Sequence, residues 1–274
     1  FLSGIKSNNK KIVALKIISS GFVMAFGIAS WGGNQFFIIP IGMFIIALPF
    51  VRKDHKFLLW SIPLFVGTFL TVSSLFERPG PTFVFGLGGL SLIITTIFLT
   101  SCIFIQKISI EKNKTRNGLF LLITIIIIGS FLVTVGGESG LIGLPSFRYF
   151  NAINPLLTNT DPLADSIAEH APTSAALSFL LHSIWMVFAG LGAWLILTKK
   201  LSQNKIFLHN DLKIFVLILG ITGVYFSSVF IRLEIFASLG LILLASISLS
   251  ILSKEIFKVK FNGKKNNLIK FSYV

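Results

Sequence analysis

Charged residues are scarce in this sequence. Of its 274 residues, 12% are Asp, Glu, Lys or Arg and 54% are hydrophobic, and the mean hydropathy is +0.87. A soluble domain carries about 25% charged residues. Because half that charge density leaves too few polar groups to cover a water-facing surface, we expect the apolar runs to face lipid.

Cysteine is almost absent as well. Cys102 is the one thiol, and it lies in the middle of an apolar run. A lone thiol cannot form an internal disulfide, and no Cys/His spacing indicates a zinc site. The chain also begins with Phe1 instead of methionine, and its opening residues 1–11 do not have the pattern of a signal peptide. We interpret Cys102 as a small apolar filler and the chain as a fragment of a longer protein.

Long apolar runs make up most of the sequence. A membrane-spanning helix needs about 20 mostly apolar residues. The sequence therefore predicts an all-α fold, a polytopic transmembrane helical bundle of about eight spans over residues 1–274. We place the spans at residues 12–31, 36–51, 57–76, 83–105, 119–136, 178–198, 212–231 and 233–253.

The net charge of +14 is concentrated in every second connection between spans. The alternate connections contain Arg78, Arg148 and the boundary residue Arg232 as their Lys or Arg residues. Lys and Arg accumulate in cytoplasmic loops, so the N-terminus is predicted to be cytoplasmic and residues 136–177 external. We expect the lipid bilayer as a partner and no nucleic acid, because no basic patch is interleaved with exposed aromatics.

The connection at residues 136–177 is the informative one. It is far longer than usual connections, and such loops are functional or disordered. Its apolar residues argue against disorder, and it is acidic within a basic protein. Asp161, Asp165 and Glu169 are four residues apart, so on a helix they would share one face and repel. Two interpretations stay open here: a solvated acidic loop, or carboxylates gathered near a cation.

One stretch is rich in glycine, Phe-Gly-Leu-Gly-Gly at residues 85–89, and can be compared with a phosphate-binding loop. No strand precedes it and no suitable helix start follows it. We interpret these glycines as sites of helix packing or of a bend in the membrane.

Three stretches resemble a known family. Residues 166–173, Ser-Ile-Ala-Glu-His-Ala-Pro-Thr, resemble the Ser-Val-Ser-Glu-His-Gln-Pro-Thr motif of the catalytic subunit of oligosaccharyltransferase, and stand between it and the prokaryotic Thr-Ile-x-Glu form. Residues 30–33, Ser-Trp-Gly-Gly, are similar to a turn between two helices of that family. Residues 225–233 are similar to its Tyr-Phe-x-x-Val-x-x-Arg-Leu segment. The approach to the first motif, residues 148–163, looks like that of archaeal members.

The resemblance implies transfer of an oligosaccharide from a polyprenyl-phosphate lipid to the Asn side chain of Asn-x-Ser/Thr in an acceptor polypeptide. By this likeness Glu169 approaches the acceptor amide and helps to complete a divalent-cation site, Mg²⁺ or Mn²⁺. Arg232 holds the phosphate of the lipid-linked donor. Ser166 and Ile167 line the path of the acceptor peptide, as the same likeness implies.

The roles of His170 and Arg148 are each open to two interpretations. His170 either contacts substrate or is a solvated loop histidine, and Arg148 contacts either the donor or the peptide. The resemblance also implies that the chain covers the middle and late membrane spans of an archaeal-type enzyme of the cell membrane. The family's other catalytic carboxylates and its soluble C-terminal domain are not found, so the active site of this fragment is expected to be incomplete.

A transporter or a lipid-linked oligosaccharide flippase is the alternative. Spans that contain Gly and Pro, such as Pro40, Pro49 and Pro63, suit transport. Transport sites lie near the middle of the membrane, however, and no span interior carries a clear Asp, Glu or Arg. A scaffolding subunit is a second alternative, but it would have no need for Ser-Ile-Ala-Glu-His in an external loop.

Overall fold

The computed structural model describes residues 10–52, 54–138, 175–198, 210–229 and 231–261. Every regular element in these ranges is a helix, which confirms the predicted all-α fold. Short 3₁₀ helices at Gly32–Phe37, Glu111–Asn113 and Ile231–Leu233 join some of the longer ones. The α-helices are α1 Lys10–Ser30, α2 Ile38–Val51, α3 His55–Ser74, α4 Pro81–Phe85, α5 Leu87–Ile108, α6 Lys114–Glu138, α7 Ala175–His182, α8 Ile184–Leu197, α9 Asn210–Val229 and α10 Glu234–Phe261.

Seven stretches of the described residues are long and apolar enough to cross a membrane. The helix pair α7 and α8 passes the same test as a unit, although it is bent by 87°. Together they confirm the prediction of about eight spans. The division between the last two predicted spans is also confirmed, because α9 ends at Val229 and α10 begins at Glu234.

The predicted span at residues 178–198 is where structure and expectation differ. Instead of one straight helix, the chain breaks at Ser183, whose φ of 44° is incompatible with a right-handed helix. The boundaries of the predicted loop also shift. Helices occupy residues 136–138 and 175–177 at its two ends, and residues 139–174 lie outside the described part of the chain.

The chain divides into two compact units. The first comprises Phe1–Pro162 and Asn210–Ile218, and the second comprises Leu163–His209 and Leu219–Val274. In the first unit, α1 packs on α3, and α5 packs on both α2 and α6. Gly21 permits the close approach of α1 to α3, because a methyl group there would lie 3.0 Å from Thr68 Cβ. The fully buried side chains at these contacts include Ile17, Phe44, Phe69, Leu92, Phe98 and Leu99.

Helix surfaces that are not packed in the first unit are apolar. On α6, Phe120, Ile127 and Phe131 are each more than 60% exposed, and so is Val23 on α1 at 71%. A contiguous apolar surface of this kind is unstable in water. These surfaces agree with helices that face lipid hydrocarbon, as the composition predicts.

The glycine motifs noted in the sequence lie at breaks between helices. After α1, Trp31 is extended, and its ring lies so close to Gly33 that a methyl group there would be 2.5 Å away. Gly86 is extended between α4 and α5, and a methyl group on Gly89 would overlap the backbone oxygens of α4. Both stretches are therefore packing turns, and the interpretation of residues 85–89 as a bend is confirmed.

In the second unit, α8 and α10 are in close contact. Gly192 lies directly against the Leu244 carbonyl group, where a side chain would overlap it. Ser248 of α10 donates a hydrogen bond of 2.7 Å to the Phe188 carbonyl oxygen of α8. Gly220 and Gly240 bring α9 and α10 together at a second close approach. Small residues that let backbones touch are characteristic of helix packing in membranes.

Candidate functional site

Most of the site residues predicted from sequence cannot be located. Arg148, Ser166, Ile167, Glu169 and His170 all belong to residues 139–174, which lie outside the described residues. Their predicted roles therefore stay predictions. What the structure does describe is the helix α7 that follows this segment and the helix junction that contains Arg232.

Arg232 lies in the 3₁₀ helix Ile231–Leu233, between the end of α9 and the start of α10. Its backbone is described and its side chain is not. A junction at this position ends one apolar span and begins the next, so Arg232 lies at the boundary between two spans, as the sequence predicts. That is where an arginine can reach a headgroup while its neighbours remain in an apolar environment.

A polar cluster lies directly beside this junction. His182 Nε2 is 2.7 Å from Glu234 Oε1, and Ser178 donates a hydrogen bond of 3.2 Å to the same oxygen. His182 and Glu234 are buried, with 6% and 8% of their surfaces exposed. An ionised carboxylate only accepts hydrogen bonds, so with ionised Glu234 the hydrogen is carried by His182 Nε2. We refer to Ser178, His182 and Glu234 as the His–Glu cluster.

His182 and Glu234 both lie at a helix terminus. His182 is the last residue of α7, immediately before the break at Ser183, and Glu234 is the first residue of α10. A carboxylate at a helix N-terminus interacts favourably with the helix dipole. The cluster therefore connects two interruptions of helical structure that are 52 residues apart in sequence.

The His–Glu cluster has unused hydrogen-bonding capacity. Glu234 Oε2 is buried and accepts no hydrogen bond within the described part of the chain. Buried polar atoms are nearly always paired, because an unpaired one loses its hydration without compensation. Glu234 Oε2 is thus one of three buried side-chain oxygens without a partner among the described residues, and it is the one that belongs to a carboxylate.

Sequence reasoning missed this cluster. Neither His182 nor Glu234 is among the site residues predicted from the sequence. Two signals were present, a histidine within an apolar run and an acidic residue two positions after an arginine at a span boundary. Neither signal could connect the two residues, because they are 52 positions apart in the sequence.

Metal ligands do not converge within the described ranges. There, no three side chains among His, Cys, Asp and Glu are grouped so that they could hold a metal ion. The His–Glu cluster contains two such residues, His182 and Glu234, and they are hydrogen-bonded to each other. A divalent cation would thus need carboxylates from beyond these ranges, such as Glu169.

The first unit contains a separate open groove with a volume of ≈ 690 Å³. Its polar lining residues are Lys16, Ser19, Ser20 and Asn34, and the Asn34 amide donates a hydrogen bond of 2.7 Å to the Gly27 carbonyl oxygen. The other side chains of the lining are apolar, which suits contact with hydrocarbon. The lining includes Leu15, Val23, Met24, Ile28, Phe37, Ile41 and Phe65.

Comparison with known proteins relates most of the chain to one group of glycosyltransferase subunits. It is 24% identical over 251 residues to dolichyl-diphosphooligosaccharide–protein glycosyltransferase subunit STT3B of Arabidopsis thaliana, across 87% of this chain and 32% of that protein. It is 26% identical over 235 residues to subunit STT3 of Dictyostelium discoideum, across 81% of this chain and 30% of that protein. The chain is similar to STT3 subunits over most of its length.

A third relative agrees with this result. Subunit STT3B of Oryza sativa subsp. japonica is 22% identical over 249 residues, which are 87% of this chain and 33% of the relative. The chain spans about a third of the length of the curated relatives it matches. A scan against protein-family models found no match. The resemblance predicted from three short motifs is confirmed by similarity that extends over most of the chain.

Proposed function

We propose that this chain is part of a membrane oligosaccharyltransferase that moves a glycan from a polyprenyl-phosphate lipid to the Asn side chain of Asn-x-Ser/Thr sequons. The observation that carries the proposal is its similarity to STT3 subunits over more than four-fifths of its length. Helices suited to a bilayer support it, since a lipid-linked donor is held most simply by a protein in the same membrane. The transporter and flippase alternatives have no comparable support.

The proposed orientation follows from the distribution of positive charge. Residues 136–177 and the Arg232 junction fall on the external side, opposite the Lys-rich connections. Donor phosphate and acceptor peptide would then meet at one membrane surface, an archaeal cell membrane in our proposal.

Glu169 has the central proposed role. The acceptor amide nitrogen is a poor nucleophile because its lone pair is delocalised into the carbonyl group. A carboxylate that accepts hydrogen bonds from this amide holds the nitrogen at the reacting carbon of the sugar. Ser166 and Ile167 would line the peptide path, and His170 would contact substrate. Arg148 would contact either the donor or the peptide. Glu169, Ser166 and Ile167 are the proposed acceptor side of the site.

Arg232 has the proposed donor role. A guanidinium group presents a planar fork of N–H donors that matches two phosphate oxygens and keeps its charge at all relevant pH values. The described position of its backbone, between α9 and α10, supports such a role at a lipid headgroup. Loss of the glycosidic bond leaves negative charge on the phosphate, and Arg232 would stabilise that charge.

A divalent cation, Mg²⁺ or Mn²⁺, belongs to the same proposal. Carboxylate oxygens are the ligands that both ions prefer. Glu169 would supply one ligand together with carboxylates that are not among the described residues. When bound, such an ion spreads developing negative charge.

The test is a glycosylation assay with the full-length protein that contains this chain. Purified protein, lipid-linked donor, a fluorescent peptide with an Asn-x-Thr sequon and Mn²⁺ are combined, and glycopeptide is measured. We expect Glu169→Gln to lower turnover by about 10²-fold or more. The matched control is Glu77→Gln, which removes an exposed carboxylate from a connection on the same proposed side. Turnover close to that of the wild type in Glu169→Gln would contradict the site assignment.

The cation is tested in the same assay. We expect removal of divalent ions with EDTA to abolish glycopeptide formation, and added Mn²⁺ or Mg²⁺ to restore it. Wild-type protein that remains fully active in EDTA would contradict the metal proposal. Protein that forms no glycopeptide with any ion, yet moves labelled donor lipid between leaflets, would favour the flippase alternative.

A further inference from the structure

We propose that the His–Glu cluster is a positioning device that sets the place of Arg232 for the phosphate of the lipid-linked donor. This inference rests on the proposed donor role of Arg232. In it, Ser178, His182 and Glu234 do not touch the reacting atoms. They act by fixing the backbone of the junction on which the guanidinium group is mounted.

The first step of the argument is proximity along the chain. Glu234 follows Arg232 by two residues, and the intervening Leu233 completes the 3₁₀ helix Ile231–Leu233. A 3₁₀ segment has poorer hydrogen-bond geometry than an α-helix and is a common site of adjustment between helices. Anchoring Glu234 therefore restricts where the backbone of Arg232 can lie.

The second step concerns what lies beyond the junction. Gly192 against the Leu244 carbonyl group and Gly240 against Gly220 leave no room for α10 to slide on its neighbours in the second unit. Close-packed interfaces of this kind do not deform continuously. The main body of α10 is thus held by packing, and its first turn is held by the His–Glu cluster.

The third step is the strength of the anchor. A His–carboxylate bond of 2.7 Å has the length of a charge-assisted hydrogen bond, and it is shielded from water because both side chains are buried. Removing one member leaves the other buried and unpaired, which costs more than the bond itself contributes. The anchor consequently has one well-defined arrangement.

The fourth step concerns α7, the helix that carries His182. His182 ends α7, the helix that follows residues 139–174, where the proposed acceptor residues lie. The bond between His182 and Glu234 therefore ties the end of that helix to the Arg232 junction.

The experiment measures donor and acceptor binding separately. Full-length protein in lipid nanodiscs is titrated with a polyprenyl-phosphate-linked glycan and, independently, with a sequon peptide. We expect Glu234→Leu to raise the Kd for the donor by about 10- to 100-fold and to leave the peptide Kd unchanged. Glu234→Gln, which retains an acceptor for His182, is expected to restore most of the donor affinity.

Two further variants keep the test decisive. Ser178→Ala removes the weaker bond by a small change at a half-buried position, and it should raise the donor Kd by about two- to fivefold. The double variant His182→Leu/Glu234→Leu should bind donor no worse than Glu234→Leu, because the two residues act as one unit. The matched control is Ser248→Ala, which deletes a buried interhelical bond of the same unit away from Arg232 and should leave the donor Kd unchanged.

The outcomes separate this inference from the proposed function. If Arg232→Ala abolishes donor binding while Glu234→Leu and Ser178→Ala bind donor like the wild type, the positioning role is wrong and the proposed function stands. Equal weakening of donor and peptide binding by Glu234→Leu, with no rescue by Glu234→Gln, would likewise contradict positioning. If the wild type binds no donor and Arg232→Ala changes nothing, both proposals are wrong.

Discussion

Arg52 and Asp211 form an ion pair of 3.1 Å although 159 residues separate them in the chain. Arg52 follows the end of α2, and Asp211 lies in the first turn of α9. Both side chains are more than four-fifths buried, and the guanidinium group of Arg52 also lies 4.6 Å from the centre of the Phe57 ring. This pair joins the two chain segments that make up the first unit.

We expect Arg52→Ala to lower the free energy of unfolding by about 1–2 kcal/mol, because it removes the ion pair and leaves Asp211 without its cation. Arg52→Lys should recover part of this loss, since it restores the charge but not the planar contact with Phe57. Thermal unfolding of the full-length protein in detergent measures both effects. The control is Lys114→Ala, which breaks the exposed pair between Lys114 and Glu111 and should leave the midpoint unchanged. An equal midpoint shift in Lys114→Ala and Arg52→Ala would contradict the prediction.

The contact between α8 and α10 predicts a contrast between two glycines of one helix. At Gly192 an added methyl group would overlap the Leu244 carbonyl oxygen, whereas at Gly190 it would meet nothing within 4 Å. Gly192→Ala should therefore destabilise the protein by about 1–3 kcal/mol. Gly190→Ala should stabilise it by about 0.5–1 kcal/mol, because alanine loses less backbone entropy in a helix. Unfolding midpoints compare the two variants directly, and similar values for both would show that α8 and α10 do not touch at this point.

The bend between α7 and α8 predicts an unusual preference at Ser183. Its φ of 44° and ψ of −125° mirror the extended region, which glycine enters freely and other residues rarely occupy. Ser183→Gly should stabilise the protein by about 1 kcal/mol, while Ser183→Val should destabilise it through its branched side chain. The measurement is again the unfolding midpoint, with donor binding as a second readout. A loss of stability in Ser183→Gly would indicate a continuous helix through residues 178–198.

Helix breaks are predicted correctly from the sequence where a short stretch of residues determines the local backbone structure. The break at residues 230–233 and the turns around Trp31 and Gly86 were all predicted, because glycine and a change in apolar run length act within a few residues. The break at Ser183 is not predicted, since serine does not by itself favour a positive φ. The bend there accompanies a contact of His182 with a residue 52 positions away, and no local pattern contains that information.

By itself, the sequence determined the number of spans, their approximate limits and the similarity to STT3 subunits. Those properties depend on the length of apolar runs and on residue identity, which are local quantities. Tertiary structure alone decided that Ser178, His182 and Glu234 form one buried cluster beside Arg232. The reason is physical: burial and the pairing of distant polar groups arise only when helices pack, and apolar periodicity does not specify which polar groups then meet.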